Sequence, residues 1–187
     1  MLFRSVPAIG ERAGFAPADV ETLHAMVARS GIRLGYDETG ATGESPALAR
    51  NTWRFGLERL LLGVAMDEGA LFEGVAPVGV GSAADAELIG RLGAFVDALA
   101  VLAAELPAAR TPAQWRALVL RIFEDFVADG RDHAAARAEA FGGINAALDV
   151  LDAAGCESEL AREAVEDLIA SSLSAARNEH AFLRAGV

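Results

Sequence analysis

Asn51-Thr-Trp-Arg-Phe-Gly-Leu-Glu-Arg-Leu-Leu-Leu-Gly-Val-Ala-Met66 is the stretch that decides how this chain folds. Asn51 or Thr52 has the side-chain oxygen that caps a helix N-terminus. Phe55, Leu57, Leu60, Leu61 and Val64 then recur at three- and four-residue intervals, which predicts a helix from about Thr52 to Asp67. Glu58 follows Arg54 by one helical turn, so the pair can bridge along the surface for a few tenths of a kcal/mol. Gly56 costs a helix interior roughly 1 kcal/mol relative to alanine. A close-packed neighbouring segment is therefore expected against it. The stretch holds no recognisable catalytic group.

Helices extend outward from it in both directions. Pro7 to Arg12 reads as a short helix, and Pro17 to Arg29 as a second one stopped by Gly31. Residues 31–50 read as an irregular loop, as does the glycine-rich run Glu68 to Gly81 with its Pro77. Ser82 caps a long helix to about Glu105, whose Ile89, Leu92, Val96, Leu99 and Leu102 form an apolar stripe. Thr111 then Pro112 is cap followed by first-turn proline, and Trp115, Leu118, Ile122 and Phe123 give that helix the most one-sided face in the chain. Two more helices are expected. One runs from about His133 to Ala153 with Phe141, Ile144, Leu148 and Leu151 inside, the other from about Ser158 to Ala176 with Ala161, Val165, Leu168 and Ile169 inside. Only Ala181 to Val187 reads as extended, and a lone strand has no stability of its own. The fold class is mainly α, bundle-like, with little or no strand, and residues 1–187 read as a single helical domain without repeat or linker.

A chain of 187 residues with 53% hydrophobic residues can fill one core. All sixteen basic residues are arginine, so lysine-dependent chemistry, a Walker A phosphate loop included, is impossible within this chain. The formal charge of −11 argues against independent nucleic-acid binding, although Arg29, Arg33, Arg50, Arg54 and Arg59 form a locally basic region that serves either as a phosphate-facing patch or to meet the acidic helices of the same domain. Cys156 is the single cysteine, which forbids an internal disulfide, fits a reducing compartment, and suits a small buried hydrophobe. No signal-peptide pattern opens the chain, and no apolar run approaches the roughly 20 residues that cross a bilayer. A cytoplasmic protein with no membrane contact is expected.

Motif-like patterns fall away on inspection. Gly79-Val-Gly-Ser-Ala-Ala84 fits a dinucleotide fingerprint with Asp97 downstream, but Pro77 breaks the strand that must precede it. Glu21 and His24 have di-iron spacing without the second Glu-x-x-His such a site needs. His133 and His180 lack metal-ligand spacing, and a lone cysteine leaves no zinc set. No strained-turn serine or cysteine nucleophile is present. Glu157, Glu159, Glu163, Glu166 and Asp167, at the start and middle of the last helix, read as a solvated face or, alternatively, as a partner-facing acidic patch. No catalytic residue, metal, cofactor or small-molecule substrate is expected.

From Thr52 to Met66 the chain resembles the central region of the exodeoxyribonuclease V gamma chain family, RecC. Ser5-Val-Pro-Ala-Ile9 with the Gly14-Phe15 turn, Ser30-Gly-Ile-Arg-Leu-Gly-Tyr-Asp37 and Ala181-Phe-Leu-Arg-Ala-Gly-Val187 are similar to further parts of that family. The likeness is dense over residues 5–66 and thin across the alanine-rich helices after residue 82. Leu34 stands where the family pattern has tryptophan, and Val64 where it has tyrosine.

The resemblance implies a helicase-like subunit that has lost its ATP-hydrolysing residues and works with RecB and RecD in a complex that unwinds and degrades DNA ends. In that frame the chain corresponds to an excised helical subdomain of the inserted 2B type found in superfamily 1 helicases. Its implied partners are RecB-like and RecD-like subunits and, in the full complex, DNA. The residues expected to form a contact surface or an internal joint are Trp53, Arg54 and Arg59, with Arg33 beside them. The alternative is a free-standing helical interaction protein without a DNA role.

Overall fold

The computed structural model describes residues 6–37, 50–155 and 157–185. Its helices are α1 (Pro7–Arg12), α2 (Asp19–Ser30), α3 (Trp53–Ala65), α4 (Ala83–Glu105), α5 (Pro112–Phe126), α6 (Ala134–Ala153) and α7 (Arg162–Ala185), with a 3-10 turn at Arg131–His133. Among the described residues, extended pairing is limited to isolated bridges of Glu68 with Ala70, Phe72 with Val75, and Arg110 with Leu160. The fold is mainly helical. The chain divides into two compact units, residues 1–102 and 103–187.

The helix boundaries have local causes. Thr52 is extended, and its Oγ1 accepts the Phe55 N–H, which starts α3. Gly31 ends α2 in the left-handed region at φ 81°, where a residue without Cβ is unstrained. Thr111 and Gln114 cap α5 reciprocally: Oγ1 of the first accepts the backbone N–H of the second, and Gln114 Oε1 accepts the Thr111 N–H.

In the first unit the buried side chains include Leu23 of α2, Leu57 and Leu60 of α3, and Ile89, Leu92 and Val96 of α4. α2 packs on α3. Phe15, just past α1, meets Phe95 edge-on at 6.1 Å between ring centroids.

The second unit is built around α6, which packs on both α5 and α7. Phe123, Ile144 and Leu148 form its centre. Gly143 faces α7, where a Cβ would lie 2.7 Å from Leu173 Cδ2 and displace the end of that side chain. Arg116 of α5 reaches across to Asp149 and Asp152 of α6, each at 2.7 Å, and the hydrogen bond to Asp149 raises its pKa further.

Helix ends and side-chain exposures differ from the sequence expectation at several positions. α7 begins at Arg162 instead of Ser158, because Leu160 is committed elsewhere. Its N–H and C=O exchange hydrogen bonds with Arg110 at 2.8 and 3.2 Å, and its C=O also accepts from Trp115 Nε1 at 2.9 Å. Glu157 and Glu159 therefore precede the helix, and Ala161 is exposed. At the other end, Ala181 to Ala185 is helical and not extended. No glycine or proline interrupts the run from Arg162, so nothing stops the helix earlier. Phe141 is 38% exposed, leaning on Phe123 at 5.6 Å. Leu61 and Val64 also face outward, at 53% and 48%. Cys156, residues 38–49 of the first loop and Gly186-Val187 lie outside the described residues.

Candidate interaction site

Tight backbone pairing organises the start of α3. Arg33 and Leu34 donate their N–H groups to Asn51 O at 2.8 and 2.9 Å, and Trp53 and Arg54 donate theirs to Gly35 O and Tyr36 O at 3.1 and 2.9 Å. With Thr52 taking the Phe55 N–H, the first three amides of the helix all have partners inside the chain. An anion cannot use them. Gly56 faces this same segment: a Cβ there would fall 2.1 Å from Ile32 Cγ1 and 3.2 Å from Ser30 Oγ.

Arg59, one turn further on, is a staple. Its Nη1 donates to Ser30 O at 2.8 Å and its Nε to Ala76 O at 2.9 Å, while its own carbonyl accepts Val78 N–H at 2.9 Å. Gly63 lets that loop lie directly on the helix, since a Cβ would sit 1.8 Å from Val78 O. Glu68 completes the join: its Oε1 accepts from Arg29 Nη2 at 2.9 Å and from Gly79 N–H at 2.7 Å. The glycine amide that a dinucleotide phosphate would need is thus held by the chain's own carboxylate.

An open cleft of about 410 Å³ is lined by Tyr36, Arg54, Leu57, Glu58, Leu61, Leu62, Gly93 and Asp97. The Tyr36 phenol donates to Asp97 Oδ1 at 3.0 Å. That hydrogen bond, aided by desolvation, raises the phenol pKa above its ordinary value. Arg54 and Glu58 both line the cleft, but the bridge expected between them does not form; among the described residues neither has an ion pair.

The expected contact residues are therefore split by environment. Arg33 and Arg54 are exposed, Trp53 is half-buried, and Arg59 is half-buried with its guanidinium spent on backbone carbonyls. Of the wider basic cluster, Arg29 pairs with Glu68 and Arg50 is exposed. The acidic residues around the start of α7 are exposed, with Arg162 pairing to Glu163 and Glu166. Among the described residues no three His, Cys, Asp or Glu side chains are grouped to hold a metal, and no helix is long and apolar enough to cross a membrane.

Tyr36, Glu68, Leu71, Phe72 and Asp97 were not singled out as contact residues by the sequence. Their pairings run over 61 positions for Tyr36 and Asp97 and 39 for Arg29 and Glu68, beyond any local periodicity. The one available signal was the pair of apolar residues Leu71-Phe72 set in a glycine-rich loop.

A helical module in which Arg59 and Glu68 bind the chain's own backbone is the class this fold and site define. Its family follows from comparison: residues 2–177 match the description RecBCD enzyme subunit RecC, fourth domain, and the chain belongs to the RecC family. It is 27% identical over 184 residues to the RecBCD enzyme subunit RecC of Haemophilus influenzae, covering 98% of this chain and 16% of that protein. It is 38% identical over 105 residues to the RecC subunit of Mycobacterium tuberculosis, covering 54% of this chain and 10% of the relative. With the Escherichia coli subunit it shares 34% identity over 112 residues, 59% of this chain and 10% of that one. The chain thus spans between a tenth and a sixth of the length of these curated relatives.

Proposed function

We propose that the chain is a non-catalytic helical subdomain of a RecC-type subunit, corresponding to the inserted 2B subdomain of superfamily 1 helicases. In this reading it is a single structural piece of a larger cytoplasmic subunit. It positions RecB-like and RecD-like subunits and the DNA path during end processing in double-strand break repair.

The observation that carries the scaffold role is the use of Arg59. A guanidinium held by two backbone carbonyls, at 2.8 and 2.9 Å, fixes helix to loop and commits two of its five N–H donors within the chain. Of the expected contact residues, exposed Arg33 and Arg54 are left to face a partner or the DNA backbone, as is Arg50 of the wider cluster. The overall charge of −11 favours protein contacts as the main role, with phosphate contacts confined to that local patch.

The test compares the complete subunit with Trp53→Ala and Arg33→Ala/Arg54→Ala versions, assembled with RecB-like and RecD-like subunits on forked DNA across a salt series. Trp53→Ala is expected to weaken assembly while the subunit stays folded. The double arginine variant should flatten the salt dependence by up to about two phosphate equivalents, each worth a slope of roughly 0.9. Unchanged assembly together with an unchanged salt slope would overturn the proposal.

A further inference from the structure

The loop between α3 and α4 is fastened at its base and bare at its tip. Arg59 holds Ala76 O, Glu68 links Arg29 to Gly79 N–H, and Val78, 4% exposed, is pressed onto Gly63. Beyond these fastenings the chain reverses in a tight turn, with Phe72 and Val75 exchanging N–H and C=O hydrogen bonds at 3.0 and 2.8 Å. The two turn residues, Glu73 and Gly74, have φ of 48° and 81°. Positive φ at both is what a two-residue type I′ turn requires, and Glu73 is the one non-glycine residue in that region among those described.

This ordered turn carries Leu71 at 68% exposure and Phe72 at 51%. Single exposed apolar residues are ordinary on a protein surface. Two adjacent ones, raised on a turn that spends conformational energy at Glu73 and is tied to two helices, form a preorganised knob. Asp67 and Glu73 are exposed on the same loop, and residues 66–82 hold no arginine, so the charge that this loop carries is negative. Phosphates would be repelled there, whereas a basic rim would be attracted.

We propose that Leu71 and Phe72 form a docking anchor for another protein subunit, one whose surface offers an apolar pocket rimmed by arginine or lysine. This rests on the reading of the chain as part of a multisubunit assembly and adds the place and chemistry of one contact.

The experiment uses the complete subunit and its purified RecB-like and RecD-like partners. Leu71→Ser/Phe72→Ser should weaken assembly by at least about tenfold, the size expected of an apolar anchor in a pocket. The melting temperature of the variant subunit alone should stay unchanged, because neither side chain is in the core. Glu73→Arg should weaken assembly severalfold, and more at low salt than at high salt. Assembly unchanged in Leu71→Ser/Phe72→Ser would overturn the anchor while leaving the scaffold reading intact. A loss of forked-DNA binding with assembly intact, or a lowered melting temperature of the subunit alone, would reassign the knob to nucleic acid or to the subunit's own interior and equally overturn it. Tighter assembly by Glu73→Arg would overturn the basic rim. If the wild-type subunit fails to assemble with either partner, both readings fall.

Discussion

Arg59 of α3 donates to the carbonyl of Ser30, the last residue of α2, at 2.8 Å, and Ser30 is fully buried. A helix C-terminus leaves carbonyls without partners in its own helix, and here the neighbouring helix supplies one. The same guanidinium reaches Ala76 O, so one side chain ties α2, α3 and the following loop.

Removing it strands a buried carbonyl. Arg59→Ala is expected to destabilise the protein by about 2 kcal/mol, in the range for charged hydrogen bonds to buried partners. Arg59→Lys should recover only part, since an ammonium lacks the planar fork that serves both oxygens. Urea unfolding checks both, and equal midpoints for wild type and Arg59→Ala would show the staple to be idle.

The glycines of the first unit should rank by what stands over them. Gly56→Ala drives a methyl to 2.1 Å from Ile32 Cγ1, and Gly63→Ala drives one to 1.8 Å from Val78 O. An overpacked side chain costs about 1–3 kcal/mol, more than the roughly 1 kcal/mol of helix propensity gained. Gly63→Ala should be the worse, because Val78 is backbone already tied to Arg59 O and cannot swing aside. Gly90 has open space around its Cβ position, so Gly90→Ala should stabilise by up to about 1 kcal/mol. Thermal melts that fail to order the three as Gly90→Ala, Gly56→Ala, Gly63→Ala from most to least stable would contradict the packing described.

The single tyrosine of the chain makes a direct titration possible. Tyr36 holds its proton against Asp97, so its folded pKa lies above the ordinary value of 10.0. The folded state therefore keeps a proton that the unfolded state releases. The stability from this contact is fully present below pH of about 10 and is lost as pH rises through the higher folded value. Phenolate absorbance should show a midpoint above that of the unfolded chain, and Asp97→Asn, which keeps an acceptor but removes the charge, should lower it. A midpoint equal in folded and unfolded protein would contradict the 3.0 Å hydrogen bond.

Local signals carried most of the helical architecture. Thr52, Thr111 and Pro112 act within one turn, and the structure starts helices at each as their side chains demand. Gly56 was legible too, because a glycine in an otherwise good helix asks for a close neighbour, and Ile32 supplies it. Leu160 was not legible. Its backbone pairing with Arg110 spans 50 residues, and that distant bond outweighs the helix propensity of the acidic run before α7. The candidate site was half legible for the same reason. Arg33, Trp53 and Arg54 do gather at one helix start, but whether Arg59 faced outward depended on Ser30 and Ala76 lying within its reach, which no spacing rule encodes.

The turn at Glu73 and Gly74 offers a test that leaves the knob's side chains untouched. Glu73 sits at φ 48°, where a side chain with a long stem is disfavoured and asparagine is tolerated. Glu73→Asn creates the Asn-Gly pair that suits two-residue hairpin turns best, so the loop should gain about 0.5–1 kcal/mol of local stability. Amide exchange at Val75, whose N–H closes the turn on Phe72 O at 2.8 Å, reads this directly and should slow several-fold. The substitution also removes one carboxylate beside Leu71 and Phe72. A tighter turn with weaker subunit assembly would separate the charge of this position from its geometry, whereas faster exchange at Val75 would mean that Glu73 does not carry the left-handed backbone conformation.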